Sequence, residues 1–128
     1  MTKEYIYTEK APSAIGAYSQ AVKFNGIVYL SGQIPLDPKK MLLISTEIEM
    51  QIEQVFINLS HVLNEAGSSL SEILKLNVYL TNLENFLKVN EHMEKIFKKP
   101  YPARAAIGIK ELPKGALIEI DAIAAEKK

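Results

Sequence analysis

From Ile48 onward, apolar residues return every three or four positions: Ile48, Ile52, Val55, Phe56, Leu59, Val62, Leu63 and Ala66, with Gly67 closing the run. That period predicts a long amphipathic helix with one buried stripe. Thr46-Glu47-Ile48-Glu49 ahead of it has the form of a capping box, which predicts a start at Thr46. A second stripe, Phe86, Val89, Met93, Ile96 and Phe97, predicts another helix. Thr81-Asn82-Leu83-Glu84 opens it, and Pro100 and Pro102 stop it. Elsewhere the pattern is that of strands. Tyr5–Thr8 is a short first strand, and the runs Gln20–Phe24 and Ile27–Ser31 flank Asn25-Gly26, the strongest short hairpin signal. Glu72–Leu80 alternates, with Leu74, Leu76, Val78 and Leu80 on the face under a helix. Two last runs, around Ala103–Ile109 and Ala116–Ala124, are separated by Leu112-Pro113-Lys114-Gly115 and predict adjacent, antiparallel strands. Met41–Ile44 is an apolar patch that fits a short edge strand or an interface loop.

The order strand, strand, strand, helix, strand, helix, strand, strand predicts an α+β fold, a single mixed β-sheet with two helices on one face. The other face is left to find a partner, which favours an oligomer. At 128 residues the chain is expected to form one domain, 1–128, with a real core. Lys+Arg and Asp+Glu number 15 each, so no net field draws the chain to nucleic acid or an anionic membrane. Without cysteine there is no disulfide, thiolate nucleophile or cysteine–zinc site. No apolar run is long enough to span a bilayer, and the opening Met1-Thr2-Lys3-Glu4-Tyr5 lacks a signal-peptide pattern, so the expected location is cytoplasmic.

Candidate chemistry is sparse. His61 and His92 read as solvated helix residues, and no His pair at i, i+4 suggests a metal. No Gly-x-Ser-x-Gly elbow or phosphate-cradling glycine loop occurs. The last two strands each carry a charge in mid-run, Arg104 and Glu119. A guanidinium is a fork of donors matched to a carboxylate, and Ala106 and Gly108 on its side leave room for something small. The plain alternative is a cross-strand Arg–Glu pair on a solvated face, worth roughly 0–1 kcal/mol. Asn90 falls on the apolar stripe of the second helix, where a buried amide needs partners, structural or ligand. Tyr18 sits in a loop beside a strand start and reads, alone, as packing.

Five separated motifs add to one another. Ala11-Pro12-Ser13-Ala14-Ile15-Gly16-Ala17-Tyr18-Ser19-Gln20-Ala21, Ser31-Gly32-Gln33-Ile34-Pro35, Asn85-Phe86-Leu87-Lys88-Val89-Asn90, Pro102-Ala103-Arg104 and Leu112-Pro113-Lys114-Gly115-Ala116-Leu117-Ile118-Glu119-Ile120 stand in order along nearly the whole chain. Together they resemble the RidA (YjgF/YER057c/UK114) family. The resemblance implies a chorismate mutase-like fold and a homotrimer with a central barrel, its sites lying between subunits. It also implies hydrolysis of reactive 2-imino acids and their enamines, such as 2-iminobutanoate and 2-iminopropanoate, to 2-oxo acids and ammonia. No cofactor, metal, nucleic acid or membrane is implied. Arg104 matches the family arginine that clamps the substrate carboxylate, and Glu119 the glutamate that positions water. Tyr18, Ser31, Gly32, Phe86, Asn90 and Ala106 match positions lining the cleft.

Three departures bear on these expectations. Ala106 replaces a frequent cysteine, Ala17 a frequent proline, and Lys39-Lys40-Met41-Leu42-Leu43 lacks the usual Thr-Gly turn. A water-attack mechanism needs no thiolate, so the first affects substrate range and rate more than reaction type. The competing readings are a non-catalytic metabolite-binding or chaperone-like regulator and an endoribonuclease or translation inhibitor. Zero net charge and the lack of a basic, aromatic-studded face disfavour the last.

Overall fold

The computed structural model describes residues 2–128. Six strands, β1 (Glu4–Ile6), β2 (Ala21–Phe24), β3 (Ile27–Gln33), β4 (Ile73–Leu80), β5 (Ala103–Gly108) and β6 (Ile118–Ala125), form one sheet in the order β1-β2-β3-β6-β4-β5. Two helices, α1 (Ile48–Glu65) and α2 (Phe86–Ile96), complete it. Only the β4–β5 pairing is parallel, so the sheet is mixed. The Asn25-Gly26 hairpin joins β2 and β3 as expected, both residues taking positive φ (55° and 80°).

The expected pairing of the last two strands is not found. β5 lies at the sheet edge against β4, and β6 runs between β3 and β4. The reason is the crossovers. α1 carries the chain from β3 to β4 and leaves a strand-wide slot between them, while α2 carries it from β4 to a parallel β5. The last strand fills the slot, where both its edges are hydrogen-bonded. The simple cross-strand Arg104–Glu119 pair falls with that pairing.

The core lies between helices and sheet. All eight predicted stripe residues of α1 are buried. They meet Val28 and Leu30 of β3, Leu76, Val78 and Leu80 of β4, and Ile118, Ile120, Ala122 and Ala124 of β6. Val89, Met93 and Phe97 close the α2 side. At the end of α1, Gly67 turns left-handed (φ 79°) and the Ser68 N–H bonds to the Leu63 carbonyl, a Schellman closure.

Several boundaries differ from the sequence reading. Thr46 does not cap α1; Glu47 is the extended residue before the helix, its N–H bonded to Ser45 Oγ (3.0 Å). β1 ends at Ile6 because the Gln20 side chain takes the place of a strand neighbour for Thr8, accepting from its N–H (2.7 Å) and donating to its carbonyl (3.1 Å). Leu74 is exposed: the β4–β6 register shifts between Ile73 and Lys75, so Ile73 takes the core position. A 3₁₀ turn at Leu83–Asn85 precedes α2, with Asn82 Oδ1 accepting from the Glu84 N–H. His92 is half-buried rather than fully solvated. Its ring stacks on Phe56 (centroids 5.4 Å apart), and burial lowers its pKa. Met41–Ile44 is a loop, with one isolated bridge between Leu36 and Leu43.

Candidate functional site

Residues paired in register share a face. Arg104 stands opposite Leu76, whose side chain is in the core, so it lies on the helix-covered side at the sheet edge. Glu119 stands opposite Tyr79, between core residues Ile118 and Ile120, and faces the uncovered side. The two charged groups therefore lie on opposite faces of the sheet, with β4 between their strands. Apart from Ala106, the cleft residues singled out in the sequence fall into two clusters around them.

The first cluster forms where β3 ends and β6 begins. Tyr18, Ser31, Gly32 and Glu119 line a cavity of about 440 Å³ together with Ile15 and Lys114. The β3–β6 register shifts between Leu30 and Gln33, which brings the Gly32 backbone against the Glu119 side chain. A Cβ on Gly32 would collide with the Glu119 carboxylate, so that carboxylate can hold this position only with glycine at 32. Ser31 Oγ donates to the Ser19 carbonyl (2.6 Å) and so holds the loop that carries Tyr18. The Tyr18 hydroxyl accepts from the Ile15 N–H (3.3 Å).

The second cluster forms where α2 crosses β5. Asn90, Met93, Glu94, Lys99, Tyr101 and Arg104 are among the residues around a cavity of about 410 Å³. Arg104 Nη1 donates to Asn90 Oδ1 (2.6 Å), and its guanidinium lies over Phe86, 4.7 Å from the ring centroid. The stripe asparagine thus has a partner, and the ring adds a cation–π contact beneath the charge. A bond at one nitrogen and a ring under the plane fix the orientation of the fork while leaving donors for a ligand. Ala106 lines neither cavity; it packs against the core.

Two buried amides that the sequence reading passed over hold these elements. Gln20 donates to the Thr8 and Pro12 carbonyls and so fastens the Tyr18 loop. Gln51 on α1 accepts from the Leu117 N–H (2.8 Å) and donates to the Ser45 carbonyl, which sets the entry of β6 just before Glu119. Asn77, Tyr79 and Asp121 were also missed. Their signal was present, since each alternates with core residues in a strand and so marks a polar patch on the far face. Among the described residues no three His, Asp or Glu side chains are grouped to hold a metal ion, and no helix is long and apolar enough to cross a membrane.

Burial raises the Glu119 carboxyl above the usual carboxylate range, and the charge of Asp121 adds to the effect. Ionising it costs more in the folded than in the unfolded chain. Its favourable contribution is therefore full below the ordinary carboxylate range and is lost as pH rises through the raised value. Glu119→Gln is expected to melt with the native protein in acid and above it at neutral pH. Equal melting temperatures at every pH would show that Glu119 carries no such penalty.

The family model described as Endoribonuclease L-PSP matches residues 8–126. The chain belongs to that family, the RidA or YjgF group. Among its relatives, the 2-iminobutanoate/2-iminopropanoate deaminase of the mite Dermatophagoides farinae is 38% identical over 121 residues, covering 94% of each chain. A protein of Lactococcus lactis named as a regulator, AldR, is 45% identical over 122 residues, covering 95% of this chain and 97% of its own. The crystal structure of RidA from the Antarctic bacterium Psychrobacter sp. PAMC 21119 superposes with a TM-score of 0.92 at 45% identity, covering 95% and 98% of the two chains. RidA-family names thus span deaminases, an endoribonuclease label and a regulator, and the fold is common to them.

Proposed function

We propose that this protein hydrolyses small 2-imino acids to 2-oxo acids and ammonia at sites shared between copies of a homotrimer. The observation that carries this reading is the separation of the two clusters. Arg104 presents an oriented, partly unengaged guanidinium on one face, and Glu119 sits in a second cavity on the other. Neither cluster holds both Arg104 and Glu119, and a neighbouring copy is the simplest source of the missing half. Geometry supports the need for a second copy; the number three comes from the family resemblance. The mite relative's name supports the substrate class.

In this reading Arg104 grips the substrate carboxylate through two parallel charge-assisted hydrogen bonds. Glu119 holds a water against the carbon of the protonated C=N group and takes one of its protons as the C–O bond forms and the π pair moves to nitrogen. The proton is returned to that nitrogen, the C–N bond breaks, and the remaining hydroxyl proton leaves with ammonia as ammonium. Tyr18 and Phe86 wall the substrate, Gly32 gives Glu119 room, and Asn90 aims Arg104. Ser31 acts by holding the Tyr18 loop. A second reading, a binding protein without turnover, has the AldR name in its favour.

The test is ammonia release from freshly generated 2-iminobutanoate by Arg104→Ala, Glu119→Gln and an equal mixture of the two, unfolded and reassembled together. With substrate well below KM, each variant alone is expected to keep about a hundredth or less of the native rate. In random assembly the mixture recovers about a quarter of the native rate, because one interface in four pairs an intact arginine with an intact glutamate. No recovery would sink the shared site, and no rate in the native protein would leave the binding reading.

A further inference from the structure

Three groups on the uncovered face of the sheet have no part in the chemistry just described. Asp121 lies two residues beyond Glu119 on β6, pointing to the same side. Both its oxygens are engaged from β4: Asn77 Nδ2 donates to Oδ1 (2.7 Å) and the Tyr79 hydroxyl to Oδ2 (2.9 Å). Asn77 and Tyr79 are the register partners of Asp121 and Glu119 respectively. The carboxylate is therefore fixed in place, with its two donors supplied by neutral groups that leave its charge uncancelled.

Few other groups face Glu119. From the sheet come Asp121 and Tyr79; from the loops Tyr18 and Lys114 line the same cavity; β3 contributes Ser31, Gly32 and Gln33, which carry no charge. In the proposed assembly the Arg104 of another copy would join them. The bond to Asp121, helped by burial, raises the Tyr79 hydroxyl, so it remains a proton donor throughout the working range. Asp121 is thus the one anionic side chain beside the glutamate on its own strand.

We propose that Asp121, held by Asn77 and Tyr79, is a positioning residue for Glu119, its fixed negative charge keeping the glutamate able both to take the water proton and to return it. This rests on the deaminase reading and deepens it. A base must accept a proton from water and then give it to the amine nitrogen in the same turnover, and a carboxylate of ordinary strength is poor at the first task. A nearby like charge favours the protonated form and moves the group toward the range where both transfers proceed. The Asp121 charge acts through space and does not touch the substrate.

The experiment follows the titration of Glu119 by carboxyl-carbon NMR in the native protein, Asp121→Asn and Tyr79→Phe, beside the pH dependence of kcat and KM for 2-iminobutanoate. In Asp121→Asn the Glu119 titration and the acid limb of kcat move together to lower pH. Turnover at neutral pH falls several-fold, while KM stays within about twofold because the Arg104 clamp is intact. Tyr79→Phe removes a donor and leaves the charge, so the Glu119 titration moves the other way, to higher pH. Loosening of the sheet would not produce opposite shifts. The proposal is overturned if Glu119 titrates alike in the native protein and a folded Asp121→Asn, or if both variants shift in one direction. Should Asp121→Asn fail to fold, Tyr79→Phe decides alone, an upward shift supporting the proposal and any other result rejecting it. The titration needs no turnover. Coupling without hydrolysis would reject the deaminase reading, whereas hydrolysis without coupling would reject the role of Asp121.

Discussion

Arg104→Ala is expected to lower kcat/KM for 2-imino acid hydrolysis by about two to three orders of magnitude, the equivalent of roughly 3–4 kcal/mol of lost charge-assisted bonding. The loss should fall mainly on KM, because the carboxylate is gripped in ground and transition states alike. Arg104→Lys is expected to recover little. An ammonium is a point charge, and it cannot both donate to Asn90, lie flat over Phe86 and offer two parallel bonds to a carboxylate. Stopped assays of 2-oxo acid production across a substrate series would read the effect directly. A KM within a factor of about two of native in Arg104→Ala would remove the arginine from the substrate.

Gly32→Ala should abolish most activity and leave the fold almost untouched. The added methyl would meet the Glu119 carboxyl group, and the nearest atoms are all on that one side chain. A glutamate can rotate away at small cost to stability, so the melting temperature should move little. Its carboxylate would then no longer stand where the water must be held, and a misplacement of about 1 Å is enough to cost on the order of 100-fold in rate. Loss of rate with native-like melting and unchanged affinity for a 2-oxo acid is the expected pattern. A fully active Gly32→Ala would mean that the Glu119 carboxylate has no fixed working position.

Both helices were legible because burial on one side of a helix writes a 3.6-residue period into the chain, and all eight stripe residues of α1 are in the core. The hairpin was legible because Asn25-Gly26 is a local signal. Strand order was not. Period-two alternation says which face a residue takes and nothing about its neighbours, and the short link at Leu112–Gly115 suggested a hairpin where β6 instead crosses to a slot two places away. Leu74 was misassigned for a similar reason, since a one-residue register shift leaves no mark on composition. Thr46 carried the letters of a cap, yet the helix starts after Glu47.

For the candidate site, the motifs named residues that do gather, Tyr18 with Gly32 and Glu119, and Phe86 with Asn90 and Arg104. What they could not give is that the two groups lie apart, because that depends on which strand separates β5 from β6. Asp121 was passed over because its partners Asn77 and Tyr79 are more than forty residues away and meet it only once β6 is in place.

The sheet also works as a partition. A free guanidinium and a free carboxylate on one face of one chain would tend to neutralise each other, and any substrate would first have to break that bond. With Arg104 on the helix side and Glu119 on the other, self-quenching within the chain is ruled out by topology. In the proposed shared site, each charge would thus stay available to a substrate held between two copies.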